Sequence, residues 1–278
     1  MTFKIAYCAG HYLNTPGKRL PKELDAAQTR EWVLNDRVAD YFARAALEYE
    51  DVEILRTDDS AGKVFIDIPE RTKKANAWGA NLYLDIHHNA AGKVFSGGGV
   101  VAFSYPGSAM GRKYRDAIYE AVINAGGLKG NRDQPKQEKG YDSLYYAKAP
   151  AVLMEYGFMD SKVDAPVILT DEYSKLVAYA TMEGIAKVAG LKKKAAEKES
   201  YSLEMRILKH GCKGEDVRAL QILLIGNGYS CGNAGADGDF GDATLSAVCK
   251  YQRDNGIGVD GVAGPKTMKK LMGLDKEK

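Results

Sequence analysis

The sequence contains few of the residues that mark several common protein classes. Only four cysteines occur, and no two of them have the C-x-x-C spacing of metal or redox motifs. No stretch approaches the ~20 consecutive apolar residues that a membrane helix needs. The 39 basic residues barely exceed the 37 acidic ones, whereas nucleic-acid-binding proteins carry a clear basic excess. We therefore expect no disulfide framework, no membrane span and no nucleic-acid partner.

A recognisable export signal is also lacking at the N-terminus. The first four residues lead straight into the apolar run Ile5 to Ala9, which is too short and wrongly flanked for a signal peptide. On this pattern we expect synthesis in the cytoplasm, with any action outside the cell depending on release by another agent.

Strand-like and helix-like segments alternate over residues 1–191. Five short apolar runs bounded by Gly, Asn, Asp or Pro predict strands at 4–9, 52–55, 82–87, 99–103 and 151–155. Helical periodicity fills the gaps, with one buried face predicted at Leu34, Val38, Tyr41 and Ala45. The alternation predicts an α/β domain with a mixed, largely parallel sheet flanked by helices.

The pattern changes after this first domain. Residues 192–202 are charged and have no apolar face to bury, which indicates a linker. Residues 203–275 then predict a small all-α domain of three helices. The first has its apolar face at Val217, Leu220 and Leu224, the second includes Leu245 and Val248, and Pro265 opens the third.

Three of the predicted strands end in polar residues. His11 follows the first strand, His87 ends the third and Glu155 ends the fifth. Ligands of open α/β sheets gather at the carboxyl ends of strands, so these side chains are candidates for one site. Glu31 lies on the buried face of the first predicted helix, and a buried carboxylate needs either a metal ion or an Arg or Lys partner.

Two histidines and one carboxylate around an open position form a known catalytic zinc set, which makes hydrolysis the natural reaction class. The H-E-x-x-H helix of many zinc proteases is absent from the sequence. The ligands of such a site would therefore come from separate strands and helices.

Four segments in order resemble the zinc-dependent N-acetylmuramoyl-L-alanine amidase family. They are Ala9-Gly10-His11, Arg30-Glu31-Trp32-Val33-Leu34-Asn35, Asp85-Ile86-His87-His88-Asn89-Ala90 and Leu153-Met154-Glu155-Tyr156-Gly157-Phe158. The resemblance implies that His11, Glu31 and His87 bind Zn²⁺, and that Glu155 is the catalytic carboxylate, acting as general base. It implies that the bond between N-acetylmuramic acid and L-alanine is cut by a zinc-activated water.

Two neighbours of His87 belong to the same motif. Adjacent strand residues point to opposite faces, and the family's ligand directly follows the apolar residue, so His88 is interpreted as a bystander. The resemblance implies a substrate contact for Asn89. The loop at 12–19 departs from the family's usual glycine-rich turn, and substrate preference near that loop is not predicted.

The tail resembles a three-helix peptidoglycan-binding domain through its Asp-Gly turns, including Asp237-Gly238-Asp239 and Asp260-Gly261-Val262. Together the two resemblances imply bacterial peptidoglycan as the substrate and, without an export signal, a lytic enzyme of phage or prophage type. Two alternatives stay open. One is a zinc peptidase that cuts within the stem peptide, and the other is a non-catalytic wall-binding protein.

Overall fold

The computed structural model describes residues 2–194 and 206–274, and the chain divides into two compact units, Met1–Ala195 and Ala196–Lys278. Of the predicted linker at 192–202, only its first three residues fall within the described ranges. The start of the predicted tail domain at 203–205 and its last residue, 275, also lie outside the described residues. The domain boundaries stay predictions.

The described part of the N-terminal unit contains six strands and six helices. The strands are β1 Phe3–Ala9, β2 Val52–Arg56, β3 Leu82–Asn89, β4 Val101–Ser104, β5 Lys136–Glu138 and β6 Ala151–Phe158. The helices are α1 Glu31–Ala46, α2 Ile68–Trp78, α3 Ala109–Asn124, α4 Asp142–Tyr146, α5 Ala165–Ile168 and α6 Asp171–Ala189.

The strands form one sheet in the order β2-β1-β3-β6-β4-β5. All neighbours pair in parallel except β4 and β6, which are antiparallel. The prediction of a mixed, largely parallel sheet flanked by helices is therefore confirmed. All five predicted strands are present, and the edge strand β5 is the addition that the sequence did not predict.

Side chains alternate between two covered faces of the sheet, as the two-residue period of a strand requires. Leu84, Ile86 and Met154 lie on the face that α1, α3 and α6 cover, called here the α1 face. Tyr83 and Leu153 lie on the face that α2 and α4 cover, called the α2 face. Asp85, His87 and Glu155 continue this second series along β3 and β6.

The buried stripe of α1 differs by one residue from the predicted one. Leu34, Val38 and Ala45 are buried as expected, but Phe42 is fully buried whereas Tyr41 is only half-buried. The reason is the hydroxyl group of Tyr41, which donates a hydrogen bond to Asp171 at the start of α6. Tyrosine keeps its polar end near water while its ring covers apolar surface.

The C-terminal unit contains three helices in its described part, α7 Glu215–Gly226, α8 Asp242–Asp254 and α9 Pro265–Leu271. Val217, Leu220, Leu224 and Val248 are buried in a core of its own. The prediction of a small all-α domain with three helices is confirmed.

A hydrogen-bonded turn occurs twice in this unit. The side-chain amide of Gln221 donates to Asp237 Oδ1 at 2.8 Å, to the Asp239 carbonyl and to Thr244 Oγ1, while its carbonyl accepts from the Gly238 amide. Gln252 makes the same four bonds to the second turn, and its partners are Asp260 Oδ1, the Val262 carbonyl, Thr267 Oγ1 and the Gly261 amide. Each buried glutamine thus joins one helix to the turn that starts the next helix.

Within the described ranges, none of the helices combines the length and the apolar character that crossing a membrane requires.

Candidate active site

The predicted ligands His11, Glu31 and His87 meet at the carboxyl ends of β1 and β3. One potential ligand atom from each residue lies within 4.8 Å of the other two. Glu31 Oε1 is 3.2 Å from His11 Nε2 and 3.1 Å from His87 Nδ1. The two imidazole rings are perpendicular, with centroids 5.0 Å apart. The structure therefore brings together three side chains that are 20 and 56 residues apart in sequence, as their numbers give.

The backbone at the end of β1 is shaped around these rings. His11 has a φ of 69°, a left-handed conformation that a non-glycine residue adopts only at an energetic cost. Gly10 precedes it, and a Cβ atom there would lie 2.0 Å from His87 Cε1. Glycine is therefore required at position 10, because the His87 ring occupies the space of a side chain.

Buried polar side chains hold this backbone in place. The Arg71 guanidinium donates to the carbonyl oxygens of Ala9 and His11 at 3.1 and 2.7 Å. Asn35, fully buried on α1, donates to the Gly10 carbonyl at 3.1 Å. The turn that carries His11 is thus tied to helices on both faces of the sheet.

Glu31 is the first residue of α1 and is 1% exposed. Burial opposes its ionisation, but hydrogen bonds from His11 and His87 outweigh that effect and hold the pKa of Glu31 well below its ordinary value. Burial is also the main reason why the pKa of His11 is lowered. An ionised carboxylate and a neutral imidazole are the forms that bind a metal ion. Burial lowers the pKa of His87 too, but Asp85 and Glu31 outweigh it and raise that pKa well above its ordinary value, so a metal ion would displace a proton from this ring.

Lys18, in the loop that departs from the family pattern, reaches the same carboxylate. Its Nζ lies 3.4 Å from Glu31 Oε2, an oxygen that accepts no hydrogen bond from any described residue. The sequence left a metal ion or a basic residue open as the partner of Glu31. Lys18 is such a basic residue, and it lies near Oε2 at the rim of the cluster. Both histidines approach Oε1.

Glu155 lies beside the cluster on β6, in register with His87 on β3 and on the same face of the sheet. Its Oε2 is buried and has no hydrogen-bond partner among the described residues. Burial raises the pKa of Glu155 to about 8, and the negative charges of Glu31 and Asp85 act in the same direction. Such a carboxyl group exchanges protons near neutral pH, as a general base must.

His88 points away from the cluster, on the α1 face. It is 1% exposed, its Nδ1 is 2.8 Å from Asn35 Oδ1, and burial lowers its pKa to about 3. A neutral, buried histidine that is paired with an asparagine fits the interpretation of His88 as a bystander.

Asn89 ends β3, where a register shift interrupts the pairing with β6. Its side-chain oxygen accepts a hydrogen bond from the amide of the next residue, Ala90, at 2.8 Å. The local contacts of Asn89 thus serve the end of the strand, and its role as a substrate contact stays a prediction.

Asp85, like Lys18, is a residue at this site to which the sequence interpretation gave no role. Its Oδ1 lies 3.1 Å from His87 Nε2. Burial disfavours its charge, but His87, Cys8 and Ser143 outweigh that cost and hold the pKa of Asp85 well below its usual value. The spacing carried the signal, because a residue two positions before His87 on a strand shares its face.

The fold and this cluster define an α/β domain with a candidate metal-binding active site at the carboxyl ends of its parallel strands. A family model described as N-acetylmuramoyl-L-alanine amidase matches residues 5–187, more than half of the chain. The chain therefore belongs to the N-acetylmuramoyl-L-alanine amidase family. A second family model, for a peptidoglycan binding domain, matches residues 213–271.

Named relatives agree with this assignment. The N-acetylmuramoyl-L-alanine amidase CwlM of Bacillus licheniformis is 33% identical over 152 residues, which is 54% of this chain and 56% of that protein. The endolysin of Bacillus phage SPP1 is 33% identical over 150 residues, 52% of this chain and 53% of that protein. The chain thus spans about half the length of the curated relatives it matches.

A solved structure confirms the fold of the first unit. The N-acetylmuramoyl-L-alanine amidase from Clostridium difficile 630 superposes with a TM-score of 0.61 at 18% identity, covering 68% of this chain and 97% of that one.

Proposed function

We propose that this chain cleaves the amide bond between N-acetylmuramic acid and L-alanine in bacterial peptidoglycan, with zinc held by His11, Glu31 and His87. The observation that carries the proposal is the convergence of these three donors beside Glu155, at the edge of the sheet where α/β proteins bind ligands. Membership in the amidase family supports the choice of bond. The peptidoglycan-binding family of the tail supports the choice of substrate.

The side chains present fit a zinc ion. Two imidazole nitrogens and one carboxylate oxygen form a donor set of catalytic zinc sites, which leave a further position open. The second oxygen of Glu31 is buried and accepts no hydrogen bond among the described residues. Lys18 Nζ approaches that oxygen to 3.4 Å at the rim, and a divalent cation would balance the charge on the histidine side of the buried carboxylate.

When bound, zinc would acidify a water molecule and polarise the scissile carbonyl group. Glu155 accepts the proton of the attacking water and returns it to the departing amine of L-alanine. Its Oε2 is buried and has no hydrogen-bond partner among the described residues, so this oxygen is free to take and to give a proton. His11 and His87 stay fixed by the backbone around Gly10 and by Glu31.

The test is mass spectrometry of the fragments that the protein releases from purified sacculi, with and without a chelator. We expect stem peptides that begin with free L-alanine, released only when the metal is present. The variant Glu155→Gln should fold, bind zinc and lose release by about 100-fold or more. His210→Ala is the matched control, because His210 is exposed in the C-terminal unit and should leave release unchanged.

Each of the other possible results would assign a different function to the chain. Peptides cut at an internal bond would identify a zinc peptidase. Binding to sacculi without any release would leave a non-catalytic wall-binding protein. Full activity of Glu155→Gln together with unfolding of His11→Ala would reduce the cluster to a structural metal site.

We also propose a setting for this activity. The protein is synthesised in the cytoplasm and reaches the wall after a membrane lesion releases it, as in the lysis stage of a phage or prophage. The relative named as a phage endolysin supports this setting. The test is the lysis of bacterial cells that express the chain, measured with and without a membrane-permeabilising agent. Lysis should require both the expressed chain and the agent.

A further inference from the structure

Asp85 places a carboxylate on the far side of the His87 ring. The two residues share the α2 face of β3, and Asp85 Oδ1 lies 3.1 Å from His87 Nε2. The other ring nitrogen, Nδ1, lies 3.1 Å from Glu31 Oε1 on the side of the cluster. Each ring nitrogen of His87 therefore faces a carboxylate oxygen. Nδ1 points toward the candidate metal ligands, and Nε2 points away from them.

The fold holds Asp85 in this position. The carboxylate is 4% exposed, and the buried Cys8 thiol donates to its Oδ1 at 3.0 Å. Ser143, on α4, supplies a further side-chain hydrogen bond. Cys8 Sγ is itself 3.2 Å from the Tyr83 hydroxyl, so the donors around Asp85 are fixed by their own neighbours. Because little water reaches this carboxylate, its position depends on these partners.

A fixed acceptor beside one nitrogen decides what the other nitrogen does. A neutral imidazole carries its proton on one nitrogen and a lone pair on the other, and the hydrogen bond made by the first selects the tautomer. A carboxylate behind a metal-binding histidine also fixes the plane of the ring and makes the ligand nitrogen more basic. With a metal ion between His11, Glu31 and His87, the lone pair would be on Nδ1, and the Asp85 carboxylate behind the ring would keep the proton on Nε2.

We propose that Asp85 is a positioning residue that sets the tautomer and orientation of His87 for metal binding. This inference rests on the proposed function, in which His87 is a zinc ligand. In this role Asp85 acts only through the His87 ring.

The first test is zinc affinity, measured on the full chain by competition with a chromophoric chelator. We expect Asp85→Asn to weaken zinc binding by about 10–100-fold. The matched control is Cys8→Ala, which removes a donor to Asp85 but keeps the carboxylate, and it should bind zinc within a few-fold of the wild type. Equal weakening in both variants would make Asp85 only a part of the buried packing, and the inference would be wrong.

The second test does not depend on how the variants fold. Nitrogen-15 NMR of the His87 ring in the zinc-loaded wild type should show a proton on Nε2 and ligation through Nδ1. Ligation through Nε2 would overturn the inference while leaving the amidase proposal intact. A wild-type chain that binds no zinc, or that keeps its affinity after His87→Ala, would overturn both.

Discussion

At the residue scale, the backbone at the end of β1 fits closely against the His87 ring, which occupies the space that a side chain on Gly10 would need. His11, Glu31 and Glu155 surround the same ring, so small changes here act directly on the candidate site.

The site residues differ in how far the sequence predicts them. His11, Glu31 and His87 were predicted as one set, and one potential ligand atom from each lies within 4.8 Å of the others. Asp85 was missed, although its place two residues before His87 puts it on the same face of the strand. The raised pKa of Glu155 depends on burial and on nearby charges, which only the folded chain defines.

Gly10→Ala tests how closely the backbone fits the His87 ring. The new Cβ would lie 2.0 Å from His87 Cε1, so the ring must move by more than ~1 Å to reach an ordinary contact distance of ~3.5 Å. We expect zinc affinity to fall by at least about 10-fold. Gly140→Ala is the matched control, since its Cβ would meet no atom within 4 Å. Unchanged affinity in Gly10→Ala would contradict this account of the site.

Glu155 predicts a pH dependence in chelator-treated protein. Burial raises its pKa from 4.5 to about 8, so the folded state holds this proton more tightly than the unfolded state does. The resulting stability is complete below the unfolded pKa and is lost as the pH rises through about 8. Glu155→Gln stays neutral, and its Tm relative to the wild type should therefore rise by a few degrees between pH 5 and pH 9.

Thermal unfolding at several pH values measures this difference. The charged groups that act on Glu155 are His87, Glu31, Lys18 and Asp85, and both proteins carry all four. Added zinc should reduce the gap, since a nearby cation favours the ionised form of Glu155. A Tm difference that does not change with pH would show that Glu155 has an ordinary pKa.

At the element scale, the predictable parts are those with apolar periodicity. Helix α1 and strands β1, β3 and β6 were predicted because one or both of their faces are buried. The strand β5 has the sequence Lys-Gln-Glu and lies at the edge of the sheet. Short, charged edge strands discourage pairing with other chains. Because such a strand contains no apolar run, its sequence does not predict it.

The repeated turn in the C-terminal unit gives a prediction for these elements. Gln221→Ala removes four hydrogen bonds and Gln252→Ala removes five, and both leave buried partners unpaired. We expect each change to lower the free energy of unfolding of this unit by ~2–4 kcal/mol. Hydrogen exchange of amides in α7, α8 and α9 measures the loss in the full chain. Lys266→Ala, at an exposed position, should leave exchange unchanged, and equal protection in all three variants would contradict the role of the glutamines.

At the scale of the whole molecule, the chain combines two units with separate cores. The sequence predicted this from a change of pattern near residue 192, where apolar periodicity gives way to charge. It could not predict how far each unit acts alone, because that depends on affinities for the wall and not on folding patterns.

Deleting the C-terminal unit tests the division of labour. A chain ending at residue 194 should cleave a small soluble muropeptide within about twofold of the full-length rate, because the candidate active site lies wholly in the first unit. Its rate on intact sacculi should fall by ~10-fold or more, since the second contact with the wall is lost. Circular dichroism checks that the shortened chain folds. Equal rates of both chains on sacculi would show that the tail does not guide the enzyme to its substrate.

The distance in sequence between the three candidate ligands has a consequence for how a metal ion would bind. Glu31 and His87 meet only after β1 and β3 have paired and α1 has packed on the sheet. Early in folding the ion therefore has no complete site to join, and it cannot serve as a nucleus around which the chain condenses. A metal ion would bind a structure that has already formed, and we therefore expect it to lower the rate of unfolding rather than to change the rate of folding. Zinc in this domain would stabilise the sheet only after the sheet has formed.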